Sequence, residues 1–511
     1  MKTRENIAMV AKIQRVLRRS VFLLVTLTLI INFFTGCTQS YISAVKVSEP
    51  TSVEIEELKQ EIKRMVRELE YSKEVADNFA NMVIGWQDGR GYPVLYVWKK
   101  QLGYVRNEYA QSQINENELA KYEESVTRVI TQRMSKEIRL DWDKTCFELD
   151  DVIKYKKAVC LGYSQLFYIV ANSIGLSTKP IFVKELRSGV RLGVTVLDEA
   201  HITCIVSLTN GKKVMVELVT IGSFVSNSFF LERQFENVNN YWQLKDKTNP
   251  LKLHQKIRIV DKQGLIVSRY NNRGMEYTKL GQDTQAIFEY VKAIRLNPAF
   301  AEVYFNRGNA YRNLDQHAKA ILDYNKAIEL DRDFVAAYIN RGVSYRRLHQ
   351  YDKSIADYNK AITLNPEEAS VYVNRAGVYI DLNEPLKALS DCSKAIELNS
   401  QLGEAYYQRA ICYAELRKFK EAKEDLCDAI AWNPDFTELV KQVRNSYGLA
   451  LSDEEILAEA RKPVLIMKIN KDDEVEVAIP EDVKITGFTP DGGFTYEQTA
   501  INNVKSIEKS K

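Results

Sequence analysis

At 511 residues, 45% hydrophobic and 27% charged, the chain exceeds what a single hydrophobic core supports and reads as ordinary globular protein in two or three domains. Its 71 basic and 68 acidic side chains leave a net charge of only +3, which excludes the electrostatic footprint of a nucleic-acid binder. The seven cysteines contain no C-x-x-C pair, and with four histidines they give no structural zinc site, no disulfide framework and no reason to call for a cofactor.

At the N-terminus, Arg15, Arg18 and Arg19 precede an uncharged stretch from Val21 to Phe34, closed by Thr35-Gly36-Cys37. A basic segment, a short apolar segment and small residues make an export signal, and the stretch is short for a spanning helix. The ending resembles a bacterial lipoprotein signal. That resemblance implies a signal peptide over residues 1–36, acyl chains on Cys37, and a body in the cell envelope, tethered to a membrane and facing away from the cytoplasm. An uncleaved signal anchor is the alternative.

Residues 37–84 are expected to form a helical spacer. Within them Ile55, Leu58, Ile62, Met65 and Leu69 are spaced 3, 4, 3, 4, a narrow apolar seam of two heptads. Such a helix either packs on the neighbouring domain or spaces that domain from the membrane. From Gly85 to Leu140 an aromatic-rich, charged segment reads as further helices, broken at Gly89 to Pro93, and forms the N-terminal lobe of the domain that follows.

The run from Cys160 to Ile174 is a buried helix by pattern. Tyr163, Phe167, Val170, Ala171 and Ile174 share a face, Leu166 and Ile169 widen it, and Gly175 supplies the stop. Cys160 therefore lies in the first turn, where unpaired N–H groups and the positive end of the helix dipole favour a thiolate. His201 opens the run 201–208, Lys212 to Val219 is a second run, and Asn210-Gly211 between them signals a hairpin. Its loop length decides which side chains meet. A two-residue Asn-Gly turn pairs residues whose numbers sum to 421 and puts His201 and Glu217 on opposite faces. A three-residue loop, Thr209-Asn210-Gly211 with Gly211 left-handed, makes the sum 420 and leaves the two as diagonal neighbours on one face, roughly 7 to 8 Å apart at the backbone. The three-residue loop is the expectation. A thiol, an imidazole and a carboxylate in that order are the parts of a nucleophilic amide-bond enzyme.

This arrangement resembles the transglutaminase-like superfamily, in which a cysteine begins a buried helix packed against a sheet bearing histidine and aspartate. The matching residues are Cys160 in its Cys-x-Gly-Tyr-Ser context, His201 on the first hairpin strand and Glu217 in Val216-Glu217-Leu218. The match spans about residues 140 to 265 and implies an α+β papain/transglutaminase-like domain over residues 85–265. In it Cys160 is the nucleophile, His201 the base and later the acid, and Glu217 the group that orients the imidazole. The chain departs from the pattern at Ala158, where glycine is usual, after His201, which lacks the small-then-aromatic pair, and at Glu217 in place of aspartate. Cys204, on the opposite face from His201, is expected to be buried. Cys146 is left open between burial and exposure.

From Val267 a 34-residue period takes over. Arg273, Arg307, Arg341, Arg375 and Arg409 each precede Gly or Ala, with tyrosines three before and four after. A small residue (Ala286, Ala320, Ser354, Ala388, Ala422) and an alanine seven further on (Ala293, Ala327, Ala361, Ala395, Ala429) complete each unit, and Pro298, Pro366 and Pro434 end theirs. The period and residue pattern resemble the tetratricopeptide repeat. Five repeats over residues 267–436 imply an all-α solenoid, capping helices over 437–461 and a concave surface for a protein or peptide partner. The recurring arginine is a packing or salt-bridge residue as readily as a ligand contact. Ser452-Asp453-Glu454-Glu455 starts a cap helix with a capping box. Cys392, Cys412 and Cys427 read as small buried residues. Residues 462–511 alternate, as in Glu474 to Ile479, and form a short strand-rich tail.

Two functions follow. One is a membrane-tethered thiol enzyme acting on peptide-type amide bonds, hydrolysis favoured over cross-linking because water is always available as acceptor. The other is a non-catalytic envelope scaffold, its transglutaminase-like domain degenerate and its repeats assembling other proteins.

Overall fold

The computed structural model describes residues 47–140, 147–183, 201–217, 224–226, 230–238, 241–245, 256–460, 466–469, 475–478, 483–488 and 494–498. The signal segment, Cys37 and Cys146 lie outside the described residues. The chain divides into two compact units, Met1–Asn306 and Arg307–Lys511.

The first unit opens with α1 (Ser52–Glu68), α2 (Lys73–Ile84), α3 (Val94–Ala110) and α4 (Glu116–Glu137). Thr51 caps α1 in a reciprocal box with Glu54, which fixes where that helix starts. Of the seam residues Leu58, Ile62, Met65 and Leu69 are at most 9% exposed, and α1 packs against α2 and α6. Of the two expectations for this seam, packing and spacing, the described helices show packing, which removes the apolar stripe from water at about 25 cal/mol per Å². Next come β1 (Arg139–Leu140), α5 (Leu149–Tyr155), β2 (Lys157–Ala158) and α6 (Cys160–Ser173), the two short strands pairing in parallel. Eleven of the 14 residues of α6 are buried. The helix stops at Gly175, whose φ of +96° suits glycine.

A curled, antiparallel seven-stranded sheet follows. Its strands are β3 (Ser177–Val183), β4 (His201–Ser207), β5 (Lys213–Glu217), β6 (Phe224–Val225), β7 (Phe235–Val238), β8 (Tyr241–Leu244) and β9 (Lys256–Ile259), with the short α7 (Leu231–Gln234) before β7. The spatial order is β6-β5-β4-β3-β9-β8-β7. One side holds a core of Ile181, Val183, Ile205, Met215, Leu231, Phe235, Leu244 and Ile257. Helix α6 covers the other side at β3 and β4.

The first repeat, α8 (Lys262–Lys279) and α9 (Asp283–Leu296), also belongs to the first unit, so the compact division falls after the expected boundary near residue 267. Two arginines of α8 explain this. Arg273 Nε lies 3.0 Å and Arg269 Nε 3.4 Å from the Glu148 carboxylate, beside α5. Arg269 also donates to Leu69 O and stacks over Tyr71, whose hydroxyl donates to Gln165 Oε1 of α6 at 2.7 Å. Burial pushes the Glu148 carboxyl up, with Arg269 opposing.

After α10 (Ala301–Asn313), the second unit holds α11 (His317–Leu330), α12 (Val335–Arg347), α13 (Tyr351–Leu364), α14 (Ala369–Asp381), α15 (Pro385–Leu398), α16 (Gly403–Glu415) and α17 (Phe419–Trp432). Neighbouring helices pack in sequence order, as a solenoid requires. The small residues of the period are its contact points: Ala320, Ser354, Ala388 and Ala422, and Ala327, Ala361, Ala395 and Ala429, are all 0% exposed. Helices α18 (Thr437–Tyr447) and α19 (Asp453–Ala460) cap the end, and Ser452 and Glu455 form the expected box. Cys392 and Cys412 are buried, whereas Cys427 is only half-buried. It follows Leu426, which occupies the inward stripe, so Cys427 sits one residue off that stripe. In the tail, β10 (Ile466–Ile469) pairs with β11 (Val475–Ala478) and β12 (Val483–Phe488) with β13 (Phe494–Gln498), both antiparallel.

Candidate functional site

Cys160 is the first residue of α6, half-buried and free of any disulfide. Val159 before it is extended and offers no side-chain cap, so the first-turn N–H groups keep their positive potential for the thiol. Two hydroxyls hold that turn in place. Tyr163 donates from within the helix to Ile138 O, and its burial pushes the phenol up to about 12, so it stays a neutral donor. Ser164 Oγ lies 2.7 Å from Cys160 O and 2.9 Å from Ile202 O, tying the helix start to β4.

The helix runs beside β4 in the same direction. Ser164 meets Ile202 O and Cys204, and two turns later Asn172 bonds Thr178, which pairs with Val206. One turn before Ser164, the backbone of Cys160 is therefore level with the start of β4, where His201 stands. The hairpin carries the expected register. Cys204 pairs with Val216, Ile205 with Met215, Val206 with Val214 and Ser207 with Lys213, so paired numbers sum to 420. The three-residue loop is Thr209-Asn210-Gly211 with Gly211 at φ +77°. Leu208 and Lys212 close it: Leu208 N–H donates to Lys212 O at 2.9 Å, and Gly211 N–H to Leu208 O at 3.0 Å.

The side chains of His201 and Glu217 lie outside the described residues. Their neighbours define two sides of the strands. Cys204, 1% exposed, donates from Sγ to Ser164 O at 3.5 Å, so its side of β4 is the one against α6. Ile205 and Met215 join the core on the other side. Alternation assigns positions 201 and 217 to the side of Ile205 and Met215.

Two charged constellations escape motif reading. Glu123, 2% exposed on α4, receives hydrogen bonds from Thr209 of the hairpin loop and from Arg106. A signal for it existed, since Leu119, Glu123, Val126 and Ile130 follow one helical stripe that carries a carboxylate among apolar residues. In the repeats, Arg307, Arg341, Arg375 and Arg409 each grip an aspartate sixteen residues on, through Nε and Nη2 at 2.6 to 2.8 Å. The recurring arginine is thus a salt-bridge residue inside its own repeat. Burial pushes the Asp357 and Asp425 carboxyls up, against the pull of Arg341 and Arg409. Arg273 differs, turning to Glu148 and leaving Glu289 at 3.9 Å.

Profiles described as TPR repeat and tetratricopeptide repeat match residues 274–315, 301–334, 335–368, 369–402 and 403–436. No curated protein matches the chain. Similar solved structures include YrrB, a TPR protein with an unusual peptide-binding site, at 25% identity over 34% of this chain and 90% of that one, with a TM-score of 0.28. The thermophilic TPR protein TTC0263 of Thermus thermophilus is 18% identical over 37% and 99%, with a TM-score of 0.31. Pseudomonas aeruginosa pilF is 19% identical over 39% and 99%, also at 0.31. The chain carries tandem tetratricopeptide repeats, a repeat type that implies interaction with other proteins.

Proposed function

We propose that the chain is a membrane-tethered thiol enzyme of transglutaminase-like type, anchored through Cys37 in the cell envelope, that acts on peptide-type amide bonds of a protein held by its repeats. The supporting observation is that Cys160 begins a buried helix level with the start of β4, the strand that opens at His201 and pairs with the strand that ends at Glu217, so that His201 would meet the thiol round the end of β4 rather than across the face packed on α6. In this reading His201 takes the Cys160 proton and the sulfur attacks the amide carbonyl. The C–N bond then breaks and the leaving amine takes the proton from His201; water, giving a proton to His201, attacks the thioester, the C–S bond breaks, and His201 passes that proton to sulfur. Hydrolysis rather than cross-linking is the expected outcome. A thiol-directed electrophile should label the intact protein at Cys160, and Cys160→Ala should abolish that labelling with the fold unchanged. Equal labelling of the variant removes the case for an activated nucleophile.

A second reading has its own observation. Cys204, rather than a residue in step with His201, is the one turned to α6, which suits a scaffold whose repeats assemble envelope proteins while the thiol is idle. Under it the intact chain and Cys160→Ala capture the same partner and neither cleaves a peptide amide.

A further inference from the structure

We propose that Glu123 selects the register of the β4–β5 hairpin, acting as a positioning residue for the strands that bear His201 and Glu217. Asn210-Gly211 is the strongest short signal for a two-residue turn. Register is well specified where one face is apolar and the other polar. Here Val214, Met215 and Val216 are all 0% exposed, and Ile202, Cys204, Ile205 and Val206 are at most 3% exposed. A one-residue slip exchanges apolar for apolar except at Thr203, 2% exposed, whose hydroxyl donates to Val216 O, so the hydrophobic pattern discriminates weakly between pairings that sum to 420 and to 421.

The loop supplies the missing discrimination. A two-residue turn would close Thr209 against Lys212, each N–H donating to the other's carbonyl. Both N–H groups are already engaged. Thr209 N–H donates to Glu123 Oε2 at 2.7 Å, and Lys212 N–H to Asn210 Oδ1 at 3.2 Å. The Thr209 hydroxyl adds contacts of 3.0 Å to both Glu123 oxygens. Glu123 is itself fixed, since Arg106 Nη2 donates to its Oε1 at 3.0 Å and to Gly175 O, just past the end of α6, at 2.9 Å. One buried carboxylate thereby ties the hairpin loop and the end of the Cys160 helix to the same arginine, and it withholds one of the two donors that the competing register needs.

The test reads register directly. In the intact protein, Ser207→Cys with Lys213→Cys places thiols opposite each other in the observed register, and Leu208→Cys with Lys213→Cys does so after the slip. With Glu123 present the 207–213 cross-link dominates. In Glu123→Gln and Glu123→Ala, the ratio of 208–213 to 207–213 cross-link should rise about ten- to a hundredfold, the range that losing a hydrogen bond to a charged group implies. Thr209→Val, which keeps the N–H and loses only the hydroxyl, should shift the ratio in the same direction by less. An unchanged ratio in both Glu123 variants overturns the proposal. So does a fall in both cross-links together, the signature of a domain that is merely destabilised. The consequence for chemistry rests on the enzyme reading: electrophile labelling of Cys160 should slow as the ratio rises. A shifted ratio with unchanged labelling upholds the register role and refutes the triad.

Discussion

Gly342→Ala sets two opposed effects against each other. In an exposed helix the change is favourable by about 1 kcal/mol, because glycine has the greater backbone freedom to lose. In α12, however, a Cβ at this position would lie 2.7, 3.0 and 3.1 Å from ring atoms of Tyr358, which is 0% exposed and packed in the core between repeats. A buried ring has nowhere to yield, and overpacking of this kind costs about 1 to 3 kcal/mol, here toward the upper end. The net expectation is a loss of about 1 to 2 kcal/mol. The chain contains its own control. Gly274, Gly308 and Gly342 stand sixteen residues before Tyr290, Tyr324 and Tyr358, while Ala376 and Ala410 stand sixteen before the smaller Cys392 and Leu426. Glycine accompanies the ring, and alanine accompanies its absence. Gly342→Ala should therefore destabilise in the Tyr358 background and become neutral or stabilising once Tyr358→Leu is present, a coupling of about 1 to 3 kcal/mol. Amide exchange in α12 and α13 of the intact chain measures this locally, where a single melting temperature of a two-unit protein does not. Raised protection from Gly342→Ala beside Tyr358, or the same effect in both backgrounds, would refute the reasoning.

Two further outcomes follow from the charged groups of the second unit. Arg375→Met alone leaves Asp391, 6% exposed, buried without its bidentate partner and should cost about 3 to 5 kcal/mol by the same exchange measurement. Adding Asp391→Leu should recover most of that loss, and a pair worse than the single change would show that the ion pair, rather than the orphaned charge, is what matters. Lys423 and then the Ser452 cap hold the Glu455 carboxyl down to about 2, below its ordinary 4.5. A lowered folded value means the contribution is complete above the ordinary carboxylate range and is lost as pH falls through about 2. Glu455→Gln should therefore fray α19 at neutral pH, seen as faster proteolysis after Tyr447, with the difference from the unaltered chain closing near pH 2.

The parts legible in the sequence are those fixed by local period. Ala320 and Ala327 are buried because a 34-residue unit must present small residues where its helices touch, and that requirement recurs in every copy. The aspartate partners of the repeat arginines were equally periodic, yet a partner sixteen residues away becomes visible only once two helices are folded against each other. The seam of α1 left packing and spacing open, because an apolar stripe looks the same whatever covers it. Arg273 departs from its four counterparts for a reason outside the repeat, the Glu148 carboxylate.

Helices and strands differ in how much a local reading can settle. On a helix, a one-residue error turns a side chain by about 100° and leaves most of its neighbours in reach. On a strand the same error exchanges the two faces. The Cys160 helix therefore emerges from pattern alone, whereas the hairpin's faces depend on whether the loop holds two residues or three. Asn210-Gly211 on its own favours two. Gly211 and Asn210 allow three, and Glu123, 86 residues before Thr209 on a helix with no motif, holds the Thr209 N–H that the shorter turn would need. The side of the sheet that faces α6 is likewise declared by Cys204 meeting Ser164, a contact forty residues apart in sequence. A candidate site built on strands is thus held by tertiary contacts that no local spacing contains, and Glu123 is where a change far from Cys160 should reach it most directly.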